Sequence, residues 1–254
     1  MNLKIYILIL MIYCLMNSCS SNQNTTNLSD YHPQIKIKPN SNVVDAKLNW
    51  QTTGIYEPLY IGQIDSVIST NKGYLNENNY SWRTKNLKNF GKPKPNLQLQ
   101  IDTTNLIYQK NFNIDYDSVY ESDSIKSKLY YSYPVYVMNY GSEKLTIGWG
   151  DIIPITKQAK DSLSVWRTIE NAFSHFCGTG LTALNLAPQE IAVTSTVLYQ
   201  GKFKTKIRLH YNGVYSNEIE EYINYNQFQN IFDKKGEYRS QYLKEKENYL
   251  NEIR

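Results

Sequence analysis

In the second half of the chain, apolar residues recur at every other position, the period of strands that bury one face. Ile191, Val193, Val197 and Tyr199 face one way. After a turn at Gln200-Gly201, Phe203, Ile207, Leu209 and Tyr211 alternate with Lys204, Lys206, Arg208 and His210. This pattern predicts a hairpin with one solvated face. Residues 129–138 (LYYSYPVYVM) are apolar or aromatic on both faces and run into a turn at Asn139-Tyr140-Gly141-Ser142. Pro134 removes one ladder donor, which predicts that this strand lies at an edge or carries a bulge.

Upstream the pattern is weaker. Residues 35–38 alternate briefly, predicting a short strand, and Leu97, Leu99 and Ile101 share one face of another. Residues 59–70 (LYIGQIDSVIST) are ambiguous: Ile61, Ile64 and Ile68 have helical spacing, whereas β-branched content and nearby Gly and Pro favour a strand, the assignment adopted here. Residues 71–95, polar and punctuated by Gly73, Gly91, Pro93 and Pro95, read as a long loop. At the other end, Tyr238, Tyr242, Tyr249 and Ile253 fall on one helical face, predicting a helix after Gly236 that packs on the strands or covers a binding face.

Short strands between turns, with no interleaved helices, point to a mainly β, antiparallel β-sandwich with a C-terminal helix. With 23 Tyr and only 12 Gly, the composition agrees. The expected organisation is a sandwich at 126–225, strands and loops at 35–125 in the same or a separate domain, and a helical tail at 226–254. The net charge of +4 is spread along the chain rather than clustered, which does not predict nucleic-acid binding.

The first eighteen residues form an export signal. Lys4 gives the positive start, and residues 5–15 (IYILILMIYCL) the apolar stretch. As a helix that stretch covers roughly 16 Å, against about 30 Å of bilayer hydrocarbon, so it is too short to span. Ser18-Cys19 supplies a small residue before a cysteine, the pattern at which a lipoprotein precursor is acylated and cleaved; Leu15-Met16-Asn17 resembles the relaxed lipoboxes of Bacteroidota. Cys14 is the alternative, but bulky Tyr13 precedes it, inside the apolar stretch. An ordinary cleaved signal with an incidental cysteine is the other alternative. Uncharged residues 20–27 (SSNQNTTN) open a flexible tether at 19–34, with no acidic residue before Asp30. Surface-export signals of Bacteroidota lipoproteins are acidic at this place, so the resemblance implies a lipid-anchored outer-membrane protein facing the periplasm. With Cys19 lipidated, Cys177 has no partner for an intramolecular disulfide.

The stretch YPVYVMNYGSEKLTIGWGDIIPITKQAKDSLSVW, then FCGTG, NLAPQEIAV, GKFKTKIRLHY and YSNEI, resembles uncharacterised lipoproteins of Bacteroidota and, more distantly, bacterial immunoglobulin-like modules. In those modules a Leu-x-Pro-x-Glu strand entry precedes a Gly-Lys-aromatic strand, matched here by Leu186-Ala187-Pro188-Gln189-Glu190 and Gly201-Lys202-Phe203. The likeness covers about ninety residues and implies an immunoglobulin-like sandwich without bringing an activity.

The sequence has no G-x-S-x-G, P-loop, H-E-x-x-H or dinucleotide fingerprint. Of its three histidines, His32 falls in the tether and His210 among exposed basic residues, both read as solvated. His175 and Cys177 would share one strand face, where an imidazole could activate a thiol; a small buried cysteine beside turn glycines is the favoured alternative. Asp115, Asp117, Glu121 and Asp123 offer oxygen ligands for Ca²⁺ but lack the EF-hand spacing, so a solvated loop is preferred and no metal or cofactor is expected. Trp149, Asp151 and Trp166, with Arg167 beside it, are the candidate ligand-binding residues, placing aromatic platforms for sugar stacking.

These features predict a non-enzymatic lipoprotein that meets an envelope protein or glycan. Two alternatives remain: an immunity-type or inhibitor lipoprotein against an envelope-acting effector, and a hydrolase using Cys177 and His175. The anchor is directly testable. Cys19→Ala is expected to abolish incorporation of a labelled acyl donor, and persistent labelling would refute lipidation at that thiol.

Overall fold

Phe203–Tyr211 is the strand its alternation predicts: Ile207, Leu209 and Tyr211 are buried, while Lys204 and Lys206 are exposed. The structure is a computed structural model that describes residues 33–36, 43–48, 50–64, 67–69, 80–81, 96–110, 129–173, 182–235, 237–244 and 247. Its first strands are β1 (Gln34–Lys36), β2 (Val43–Val44), β3 (Thr52–Gly54), β4 (Tyr60–Gln63), β5 (Val67–Ser69), β6 (Tyr80–Ser81), β7 (Leu97–Ile101) and β8 (Ile107–Lys110). They are followed by β9 (Leu129–Asn139), β10 (Leu145–Trp149), β11 (Thr156–Lys160), β12 (Trp166–Ala172) and β13 (Ala183–Leu186). The last are β14 (Glu190–Val197), β15 (Phe203–Tyr211), β16 (Val214–Tyr215) and β17 (Ile219–Ile223).

Two six-stranded sheets carry the fold. In the first, β15 pairs with β16 and β17 on one side and with β11 on the other, and the sheet continues through β12 to β3. In the second, β14 lies between β4 and β9, and β7, β8 and β2 also pair with β9. A smaller sheet runs β10-β13-β6, and β1 pairs in parallel with β5. Ile169, Ile207 and Leu209 of the first sheet, Leu99, Val135, Val137 and Ala192 of the second, and Ile147 and Leu184 of the third meet in one apolar core. The fold is mainly β, an antiparallel sandwich with a short C-terminal helix. Residues 32–254 make one compact unit in which strands from both halves of the chain share sheets.

The expected hairpin between the 191–199 and 203–211 runs does not form. β14 belongs to the second sheet and β15 to the first, so Gln200-Gly201 carries the chain across the sandwich. Alternation reports which residues face inward but not which neighbour a strand selects. The crossing is tight: a Cβ at Gly201 would lie 2.0 Å from the backbone carbonyl carbon and oxygen of Ile223. The inward set on β14 is also corrected. Every residue from Ile191 to Val197 is buried, because both faces of the strand are covered, and Ala192 rather than Ile191 or Val193 joins the shared core.

β9 is central rather than an edge strand. β14 runs along one side, and on the other β7 pairs with residues 135–139 and β8 with residues 129–132. Pro134 sits at the gap between these two partners, and its carbonyl accepts from Asp102 N at 3.0 Å. In an antiparallel ladder a residue's N–H and C=O point to the same side, so the missing donor faces the gap and no ladder bond is lost. Asp102 holds the β7–β8 connection over that gap. Its carboxylate accepts from Thr104 N (2.8 Å), Thr104 Oγ1 (2.6 Å), Asn105 Nδ2 (2.6 Å) and Tyr136 OH (2.8 Å). Burial pushes this carboxyl up, but the donors outweigh it and hold it below its ordinary value.

Three further expectations change in detail. The 59–70 run is strand, as preferred, but divided into β4 and β5. The 71–95 loop contains β6, which pairs with β13. Tyr238 bridges to Phe232 instead of entering the helix, whose described residues are 240–244 and 247 and which docks Tyr242 edge-on to Trp50 at 6.5 Å between ring centroids. Tyr249 and Ile253 lie outside the described residues.

Two outcomes follow. Gly201→Ala should destabilise by about 2–3 kcal/mol, because backbone blocks the new methyl; Gly141→Ala, which meets only the Asn96 and Asn139 side chains at 3.1–3.3 Å, should change the urea midpoint much less. Asp102 contributes stability that is present above its ordinary value of 3.8 and lost as pH falls through its lower folded value. The urea midpoint of Asp102→Asn should therefore lie below wild type at neutral pH, and the gap should close in acid.

Candidate functional site

Along β11 the inward positions read Lys157 and Ala159, and along β17 they read Ile219, Glu221 and Ile223. Each strand thus places a charged residue on its apolar side. β12 adds Glu170, opposite Lys157 in register. The three meet between the sheets, where Lys157 is 0 % exposed, Glu170 4 % and Glu221 5 %. Lys157 Nζ lies 3.2 Å from Glu221 Oε1, 3.0 Å from Oε2 and 4.0 Å from Glu170 Oε1.

The end of β14, the crossing segment after it and the β3–β4 connection supply the remaining partners. Lys157 Nζ donates to the Val197 carbonyl at 2.7 Å and sits 4.2 Å from the Tyr199 ring centroid. Tyr199 N donates to Glu221 Oε1 at 2.5 Å. Glu170 accepts from the Tyr56 hydroxyl at 2.6 Å and from the Tyr199 hydroxyl. Gly54 on β3 leaves room for this arrangement, since a Cβ there would fall 2.4 Å from the Tyr56 ring. Burial, then the neighbouring Glu170 carboxylate, raises both tyrosines well above the usual phenol value, so they stay protonated donors. Burial also raises Glu221, against the pull of Lys157. One cation therefore faces two carboxyl groups in a dry interior. The cleft beside them, lined by Tyr56, Gln109, Glu170, Thr196 and Tyr199, has room on the order of a single water molecule. No organic substrate fits.

The opposite face of the same sheet is open. Arg208 on β15 lies between two rings, 4.1 Å from the Trp166 centroid and 4.0 Å from that of Tyr215. Its Nε donates to Gln158 Oε1 at 2.9 Å. Lys160 lies 5.0 Å from Trp166, and His210 stacks on Tyr215 at 4.7 Å. Farther along, Lys204 pairs with Glu220 at 2.8 Å and Lys206 with Glu218 at 2.9 Å. Tyr215 and Tyr222 are about half exposed.

Of the candidate ligand residues, Trp166 belongs to this array, but its ring is flanked by Arg208 and Lys160 rather than bare. Trp149 ends β10 in the small sheet, and exposed Asp151 follows it in the turn that closes on Ile152. The three are therefore divided between two sheets. Arg167 turns away to pair with Asp161 at 2.5 Å. His210 is half-buried on Tyr215 rather than solvated, and burial, then Arg208, lowers its affinity for a proton. Cys19, His32, Asp115, Asp117, Glu121, Asp123, His175 and Cys177 lie outside the described residues. Lys157, Glu170 and Glu221 were not singled out from sequence, although a charge at an apolar parity is a readable signal. No family model, no curated protein and no solved structure matches the chain.

Removing one member of the buried cluster leaves the others uncompensated. Lys157→Met is expected to cost about 3–5 kcal/mol in chemical denaturation. Replacing all three charged residues together, Lys157→Met with Glu170→Gln and Glu221→Gln, should cost less than that single change.

Proposed function

We propose that this protein is a lipid-anchored, non-enzymatic interaction module of the cell envelope. It binds a carboxylate-bearing protein or glycan through the open face of the β17/β16-β15-β11-β12 sheet. The observation that carries this reading is half-buried Arg208 held between Trp166 and the exposed Tyr215 on the outward side of the sheet. Stacking fixes the guanidinium plane in advance, so less side-chain freedom is lost when its planar fork meets a carboxylate. The face carries Lys160, Lys204, Lys206 and Arg208 against Glu218 and Glu220, a local excess of positive charge that favours an anionic partner.

Trp166 is the link to sugar recognition, as an aromatic beside a cation suits an acidic sugar. The anchor at Cys19 and the uncharged tether support an envelope location, facing the periplasm.

Capture from detergent-solubilised envelope, paired with an array of acidic and neutral glycans, tests the proposal. The native protein should retain an anionic partner, and Arg208→Ala should lose at least tenfold in affinity, with retention falling as salt rises. Equal retention by native protein and a folded Arg208→Ala variant would refute binding at this face.

A further inference from the structure

The buried cluster contains the reactants and the hydrogen bonds of an amide. We propose that Lys157 and Glu221 condense on folding into an intramolecular isopeptide bond that ties β11 to β17. Glu170 serves as the proton relay.

The placement of each atom supports the step. Nζ of Lys157 lies 3.0 and 3.2 Å from the two Glu221 oxygens, which holds the amine beside the carboxyl group it would attack. The two oxygens differ. Oε1 accepts from Tyr199 N, whereas Oε2 is buried with no hydrogen-bond partner other than its ion-pair contact with Nζ. An amide formed here would keep Oε1 as its carbonyl oxygen, still accepting from Tyr199 N. Its N–H would donate to the Val197 carbonyl, which already lies 2.7 Å from Nζ. The backbone at the end of β14 and just beyond it thus presents one donor and one acceptor, the pair that an amide satisfies.

The chemistry balances without an external reagent. A proton passes from the Lys157 ammonium to the Glu221 carboxylate, which leaves a neutral amine and a neutral carboxylic acid. The amine lone pair attacks Cδ of Glu221 and forms the C–N bond. Glu170, 4.0 Å from Nζ and held by the Tyr56 and Tyr199 hydroxyls, takes a proton from nitrogen through one water in the adjoining cleft and returns it by the same route to Oε2. The Cδ–Oε2 bond breaks and one water leaves, beside a cleft sized for about one water. No electron is gained or lost. Burial supplies the drive, because the reaction removes an ion pair that a dry interior solvates poorly.

Peptide mapping of the full-length folded protein decides the question. A protease digest should contain a branched peptide joining the segments around residues 157 and 221, lighter by one water than their sum. Intact wild type should fall short of its composition by one water relative to Lys157→Met, after the side-chain difference is subtracted. Glu170→Gln should leave most of the chain unlinked, and complete linkage in that variant would overturn the relay assignment. Recovery of Lys157 and Glu221 from folded wild type in separate linear peptides of unmodified mass would overturn the bond itself.

Discussion

A lysine with no exposed surface is the constraint around which this sandwich is arranged. An ammonium group removed from water must find hydrogen-bond acceptors and counter-charge or it loses more free energy than its strand gains from packing. Lys157 finds Glu170 and Glu221 within its own sheet, the Val197 carbonyl from the facing one and the Tyr199 ring from the segment that crosses between them. No single sheet satisfies the cluster. The cluster is satisfied only when the two halves of the sandwich dock as they do here. Gly54 and Gly201 both serve this docking: the first lets Tyr56 approach Glu170, and the second lets the chain cross beside Ile223 so that Tyr199 arrives where it is needed.

The same strands carry the outer face, and strand geometry links the two. On β11, Lys157 points inward while Gln158 and Lys160 point out; on β17, Glu221 points inward while Glu220 points out. A register slip of one residue would exchange these sets. The buried ion cluster thus fixes the register that brings Arg208 between Trp166 and Tyr215, and the stacked row on the surface depends on charges that never reach solvent.

Much of the architecture was legible because strand alternation is local. Leu97, Leu99 and Ile101 are buried as their spacing predicts, and the inward and outward sets of β15 were assigned correctly. What stayed hidden was non-local. Nothing in residues 191–211 states that β14 selects β9 and β4 while β15 selects β11. Pro134 suggested an edge because its interruption, the gap between β7 and β8, lies about thirty residues away in sequence. In the site, Lys157 sits in a TKQAK run that reads as exposed strand. Only its parity with Ile155 and Ala159, both buried, marks it as inward. Trp166 was visible as an aromatic, but its cation partner Arg208 joins it only through the pairing of β15, β11 and β12.

Stability alone does not account for a buried lysine between two carboxyl groups, since apolar residues of similar size commonly do as well or better in such a place. Two roles remain that an apolar triad could not fill: specifying one docked arrangement, and providing reactants for a covalent tie. Exported proteins ordinarily obtain such ties from disulfides. On the lipoprotein assignment, Cys19 carries lipid and Cys177 has no thiol partner within the mature chain. A cross-link between Lys157 and Glu221 would close a long loop that contains β12 to β16, constraining the unfolded chain as a disulfide does, without depending on the redox state of the compartment. Such a cross-link would lie on the inner side of the strands whose outer side carries Lys160 and Glu220.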